Sequence, residues 1–281
     1  MLSRRTALAV LAATALFLSA CGRRPQPIPP QAQLRSATLG DLVSGFNRDA
    51  RSIQTMSLKL QLTVQTSKHK YPGFTAYLLI EKPAHIRLWG TFTLIGRLFD
   101  MASNGERFEL SLPSRNQFIV GRNDVIPEKA SNSLEKMRPQ VILNSLLTNA
   151  IPDGDTVALD PGAPADTYEV LVLADSTDHQ QRLERRIGFS RYDLLPHTQE
   201  IYDGDGIHLT KATYNAYTIR DNVPVPTDIT IERPVEGYKL RLQVQPGGIN
   251  LNRPFTAPNT FELTAPPGAT VITIGSPPMQ R

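Results

Sequence analysis

The sequence predicts a mainly β fold with some α, in which about a dozen antiparallel strands run in meander order and must close or curl to bury one face. Three observations predict it. Apolar and polar residues alternate strictly in segments from Leu58 to Val244, the mark of half-buried antiparallel strands. Turn words separate those segments: Ser103-Asn104-Gly105, Pro152-Asp153-Gly154-Asp155, Asp203-Gly204-Asp205-Gly206 and Glu236-Gly237. Proline is abundant, 23 of 281 residues, or about 8% against a usual ~5%. Each proline removes a helix donor and clashes with the preceding turn. The length suits one large domain, since all-β domains often reach ~200–250 residues undivided.

The first elements are not part of the sheet. Arg4 and Arg5 precede an unbroken small and apolar run from Ala7 to Ala20. At 1.5 Å per residue that run spans only ~21 Å, short of the ~30 Å hydrocarbon core, so residues 1–20 read as a secretory signal peptide. It ends in Leu18-Ser19-Ala20-Cys21, which resembles a bacterial lipobox and implies cleavage before Cys21 and acylation of Cys21. Three acyl chains exceed the two signals that stable anchoring requires. Gly22 stands where many lipoproteins retained at the inner membrane carry Asp, which favours the outer membrane. Residues 21–33 continue as a proline-rich tether; Arg23 to Gln33, extended as polyproline II at ~3.1 Å per residue, reaches roughly 34 Å.

The folded domain is expected over 34–275, with a short tail at 276–281. Leu39, Leu42, Val43, Phe46, Ala50 and Ile53 follow helical spacing, with Thr38 as N-cap and Asp41 near the helix N-terminus. Strands follow at Leu58–Gln65, Thr75–Ile80, Ile86–Trp89, Arg97–Met101, Phe108–Leu112 and Gln117–Val120. A second set follows at Tyr168–Leu173, Arg185–Phe189, Pro196–Tyr202, Ile207–Tyr217, Asp228–Ile231 and Tyr238–Val244. Between the sets, Pro139 opens a short helix of roughly ten residues carrying Val141, Ile142, Leu143, Leu146 and Leu147, with an extra turn at Leu134 and Met137. A helix so apolar must be covered by the sheet or by a ligand. The proline-rich end supplies an edge strand around Phe261–Leu263.

The order of lipobox, tether, amphipathic helix, meander, apolar helix and second meander resembles the lipoprotein carrier and receptor superfamily of the bacterial envelope, LolA and LolB. Ile80-Glu81-Lys82-Pro83-Ala84-His85-Ile86-Arg87 is similar to the family's strand–Lys/Arg–Pro–strand corner. Ser103-Asn104-Gly105-Glu106-Arg107-Phe108 is similar to its hairpin, continued by Leu112-Pro113 and Asn116-Gln117-Phe118. Ile142–Leu147 sits where the family has a lid helix, and Pro266-Pro267-Gly268-Ala269-Thr270-Val271-Ile272 resembles its closing strand. The resemblance covers most of the chain after Cys21, through short and degenerate motifs. It implies an incomplete antiparallel β-barrel of about 11–12 strands with a helical lid. The lipid anchor favours the membrane-anchored receptor over the soluble carrier, although this chain is longer than a typical receptor.

The chemistry so implied is hydrophobic. An inner face carrying Leu58, Leu60, Leu62 and Val64 can bury acyl chains at ~0.8 kcal/mol per CH₂, or roughly 10 kcal/mol for twelve carbons before ordering costs. Ligand-binding candidates are Leu60, Leu62, Val141, Leu143, Leu146 and Leu147, with Trp89 at a ligand mouth. In the alternative arrangement these residues pack on one another and on the two helices. Thr93-Leu94-Ile95-Gly96 lies between two strands; by resemblance Leu94 or Ile95 contacts the membrane, and otherwise both are strand residues. The implied partners are lipid or lipoprotein acyl chains, the membrane through lipidated Cys21, and a periplasmic carrier protein. If instead the barrel is filled, the chain is an assembly lipoprotein that recruits a partner through loops such as Asp175–Gln181.

Other function classes are disfavoured. A single cysteine excludes a disulfide framework or a multi-cysteine metal cluster. The net charge of +4 is scattered, and removing Arg4 and Arg5 leaves 28 basic against 26 acidic residues, so nucleic acid is not an expected partner. His69, His85, His179, His197 and His208 form no metal-binding pattern, and no phosphate loop or nucleophile elbow occurs. Asp175, Asp178 and Glu184 sit in a polar loop typical of a solvated connection. No enzyme, cofactor, catalytic residue or metal site is implied.

Overall fold

Helix α1 (Leu39–Ser52) forms where the apolar spacing places it. Its start is fixed by a capping box: the Asp41 N–H donates to the Thr38 hydroxyl at 3.1 Å, and the Thr38 N–H donates to the Asp41 carboxylate at 3.0 Å. The Thr38 hydroxyl, and then its backbone N–H, hold the Asp41 carboxyl below the usual range. The computed structural model describes residues 33–125, 138–175 and 180–274. The expected signal peptide, Cys21, all of the tether but Gln33, the turn at Leu134 and Met137, Asp178, His179 and the tail from 276 lie outside the described residues.

The first meander comprises β1 (Thr55–Thr66), β2 (Phe74–Glu81), β3 (His85–Phe92), β4 (Gly96–Ser103), β5 (Arg107–Leu112) and β6 (Gln117–Arg122). A short helix α2 (Pro139–Asn144) follows. The second comprises β7 (Thr156–Leu159), β8 (Thr167–Asp175), β9 (Gln181–Ser190), β10 (Pro196–Tyr202), β11 (His208–Arg220), β12 (Val223–Arg233) and β13 (Tyr238–Leu251). Strand β14 (Thr270–Ile274) comes last. All belong to one 14-stranded sheet, in the order β14, β6 to β1, then β13 to β7. Every pairing is antiparallel except the parallel β14–β6 pair. The sheet is open, with β14 and β7 as its edges, and matches the expected incomplete barrel in kind.

The two meanders join where β1 pairs β13, from Met56↔Leu251 to Thr66↔Tyr238. Their register shifts between Leu58 and Leu60, opposite Gly247 and Gly248. Gly247 has φ +72°, and a Cβ on Gly248 would stand 2.7 Å from the Lys59 carbonyl oxygen, so this bulge requires glycine. One face of the sheet forms the main core: Leu60, Leu62, Leu78, Ile80, Ile86, Leu88, Ile229 and Leu242 are wholly buried, each contributing about 2 kcal/mol. A second cluster joins Leu42 and Phe46 of α1 to Val170, Val172, Ile187 and Phe189 of β8 and β9.

The outer face differs between the halves. Across β9 to β13 the residues Arg186, Glu200, Lys211, Glu232 and Lys239 stand opposite one another in alternating charge. Over β2 to β5 the outer face is crossed by the segment linking β13 to β14. There the Arg87 guanidinium donates to the Thr260 carbonyl at 2.9 Å, and the Leu263 N–H to the Glu109 carboxylate at 2.6 Å. Ala102 and Asp100 are buried here, on what is otherwise the wet side.

Four expectations are corrected. There are 14 strands rather than 11–12, because β7 carries no alternation and β14 falls among prolines. Residues 261–263 form no strand; the parallel edge is β14, in the segment that resembles the family's closing strand. Strand β12 starts at Val223, not Asp228, despite Pro224 and Pro226. Pairing with β13 begins only at Asp228, so the missing N–H groups lie where β12 is an edge. Helix α2 stops after six residues. The Asn144 carbonyl accepts from the Gln199 amide at 2.9 Å and the Ser145 carbonyl from the Tyr214 hydroxyl at 3.0 Å, and Leu147 turns left-handed at φ +58°.

Candidate functional site

Between the two apolar clusters lies a partly open cavity of about 290 Å³. One wall is α1, through Leu42, Phe46, Ala50 and the following Ile53. The floor is the start of β1, Met56 and Leu58. The far wall comprises Tyr217 at the end of β11 with Val223, Val225 and Ile229 of β12. Leu146 and Leu147 close one side, and Phe189, Leu194 and Pro196 the other. Asp41, Arg48, Asp49 and Asp193 are the charged residues of this lining.

Polar bonds hold α1 over this cavity. The Asn47 amide donates to the Ile151 carbonyl at 3.0 Å and accepts from the Ile151 N–H at 2.7 Å, a reciprocal buried pair. Lys82, at the corner between β2 and β3, donates to the Ala50 carbonyl near the helix C-terminus. Burial pushes the Lys82 ammonium down to about 8 from the ordinary 10.5. Arg51 pairs with Asp153 at 2.6 Å, and Asn252 donates to the Ser52 carbonyl at 2.8 Å. Behind the helix, Arg185 stands 5.8 Å from the Phe46 ring centroid and donates to the Asn149 carbonyl at 3.1 Å; burial lowers its pKa.

The wall offers shape and apolar surface rather than reactive groups. Burial raises the Tyr217 hydroxyl pKa, and that hydroxyl donates to the Pro196 carbonyl. His197 meets Asp193 at 2.9 Å beside Tyr217. Among the described residues no three His, Cys, Asp or Glu side chains gather as a metal site.

Of the apolar residues named from sequence for ligand contact, the structure brings Leu58, Leu146 and Leu147 to this cavity. Leu60, Leu62 and Leu143 are buried in the main core, away from its lining, and Val141 packs partly against that core. Trp89, expected at a ligand mouth, faces the other side of the sheet. It stacks on Tyr77 at 5.2 Å and lies 5.7 Å and 5.8 Å from the Arg87 and Arg97 guanidiniums. Those two arginines share Asp100, with Arg87 bonded at 2.9 and 3.0 Å. Parity carried that signal, since Ile86 and Leu88 point inward and Trp89 shares the face of Arg87. Leu94 and Ile95 form the exposed tip between β3 and β4 rather than strand positions. The sequence reading missed the β11–β12 wall, whose turn at Asp221 and Asn222, both with positive φ, was the available sign of a hairpin.

No protein-family model matches the chain, and no curated protein matches it. Solved structures do. A LolA superfamily protein from Nitrosomonas europaea is 12% identical, with a TM-score of 0.50 over 78% of this chain and 96% of that one. A DUF1329 family protein from Desulfovibrio piger is 12% identical, with a TM-score of 0.51 over 79% of this chain and 95% of that one. Identities this low speak for the fold alone: the chain has the LolA-like architecture, one large open sheet curled as an incomplete barrel, with few helices.

Proposed function

We propose that this chain is a bacterial envelope lipoprotein that binds lipid or lipoprotein acyl chains in the cavity under α1, in the service of lipoprotein localisation. In this reading the chain is cleaved before Cys21 and held there by its lipid in the outer membrane, facing the periplasm. It receives its ligand from a soluble periplasmic carrier, and no covalent chemistry is involved. The observation that carries the proposal is the apolar cavity of about 290 Å³ beneath a helix, set in a LolA-like sheet. Its volume lies near the lower end of the ~300–1,000 Å³ of small-molecule sites, which suits one acyl chain rather than several. Leu94 and Ile95 contact the membrane through the exposed tip.

Native mass spectrometry of the chain from residue 21, purified gently, tests the reading. A discrete added mass that releases fatty acid or phospholipid on denaturation is expected, and Leu146→Ala or Leu147→Ala should weaken its retention. A bare mass that stays unchanged with added lipid or acylated peptide would overturn it. A second reading, in which the barrel is filled and the surface recruits a protein, is favoured by Leu60, Leu62 and Leu143 being packed solid. A bare mass would leave that one standing.

A further inference from the structure

Among the hairpins that turn at one end of the strands, three are consecutive in the sheet: β12–β13, β1–β2 and β3–β4. Their strands meet in register, with Thr66 opposite Tyr238 and Thr75 opposite Thr91. Each hairpin carries an apolar side chain in the open: Val235 is 58% exposed, Tyr71 47%, Leu94 91% and Ile95 69%. Nothing in the core requires these residues to be apolar.

The exposed charges of the β1–β2 tip are of one sign, whereas the β10–β11 turn, which ends on the same side beyond β12, carries Asp203 and Asp205. Lys68 and Lys70 flank His69 on the β1–β2 tip, which is exposed from Ser67 to Pro72. No acidic residue occurs between Lys59 and Tyr77, or between Trp89 and Phe99. The one carboxylate within the β12–β13 tip, Glu236, is tied to Arg233 at 2.9 Å. Apolar tips with an aromatic ring and free lysines behind them form the pattern of an interfacial anchor, in which tips enter the acyl boundary while lysines meet anionic headgroups.

We propose that the three tips form one docking rim for an anionic bilayer surface. The proposal rests on the reading of Leu94 and Ile95 as membrane contacts and extends it to two further hairpins and to lipid charge. It also sets an orientation. The cavity is built from the starts of β1 and β12, whereas the rim follows their ends, so a rim seated on the bilayer turns the cavity away from it.

The test uses the chain from residue 21 carrying Cys21→Ser, which removes both the anchor and the only cysteine. A polarity-sensitive fluorophore is attached after Tyr71→Cys, Leu94→Cys or Val235→Cys, and after Ser44→Cys on α1 as the opposite-end control. Vesicles of phosphatidylcholine with about one third phosphatidylglycerol should blue-shift all three rim probes and leave the control unmoved, while phosphatidylcholine alone gives little shift. Lys68→Glu with Lys70→Glu should weaken binding by roughly 30-fold or more, an effect lost at high salt. A shift at position 94 alone, or shifts that ignore lipid charge, would overturn the rim and leave the single-tip reading intact. No shift at any rim probe removes both, and an equal shift at Ser44 overturns the orientation.

Discussion

Leu58 and Leu60 stand two residues apart on β1 and point to the same side of the sheet, yet they meet different surroundings. Leu60 is enclosed by neighbouring strands in the main core, whereas Leu58 forms part of the cavity floor under α1. The residue type is the same, so what differs is the cover. Strands pressed together by apolar contact leave no space, but α1, packed on β8 and β9 along one side and tied elsewhere by polar bonds to Ile151, Lys82 and Asn252, leaves room beneath it. Free volume in this fold depends on how α1 is held rather than on how apolar the sheet is.

That contrast can be broken or sharpened by substitution. Leu60→Ala should cost about 3 kcal/mol in urea unfolding, within the range for a buried leucine in a tight core, and leave ligand retention unchanged. Leu58→Ala, beside existing free volume, should cost less and change retention; equal costs would erase the distinction. Asn47→Leu should cost about 2 kcal/mol, because it strands the Ile151 N–H and carbonyl. Hydrogen exchange at the Ile151 amide should then accelerate far more than at Leu60.

Lys82 supplies a pH-dependent test of the same suspension. Its folded value of about 8 lies below the ordinary 10.5. Between those values the unfolded chain retains a proton that the folded chain has released, so the contribution of Lys82 to stability rises with pH across that window. Stability of the native chain minus that of Lys82→Met should climb from about pH 8 to about pH 10. A flat difference would show that the ammonium is not desolvated. The smallest effect is expected on the outer face: Arg241→Ala, which breaks a pair with Asp228 at 2.6 Å, should cost no more than ~1 kcal/mol by thermal melting.

The sequence made the sheet legible because alternation is a local signal, and it made α1 legible because Thr38, Asp41 and the apolar spacing all agree. It concealed the first half of β12, since Pro224 and Pro226 look like breakers until the missing partner strand is known. The cavity itself was the least legible feature. Leu58, Leu60 and Leu62 are equivalent in any periodic pattern, and which of them faces free volume depends on distant elements, among them α1, the start of β12 and the turn at Ser145 and Leu147 after α2. The stop of α2 is bonded by Gln199 and Tyr214, distant in sequence and silent about their role.

The pairing of β1 with β13 has a consequence for how the chain is made. Met56 finds Leu251 only after almost every other strand has been synthesised. Closing so long a loop is entropically costly, and long-range strand pairing folds slowly. Until β13 emerges, β1 has one bare edge and its inner leucines lack their final neighbours. A chain that leaves through a narrow export channel would therefore do so before its core could form, staying loose enough to thread until its last strands arrive.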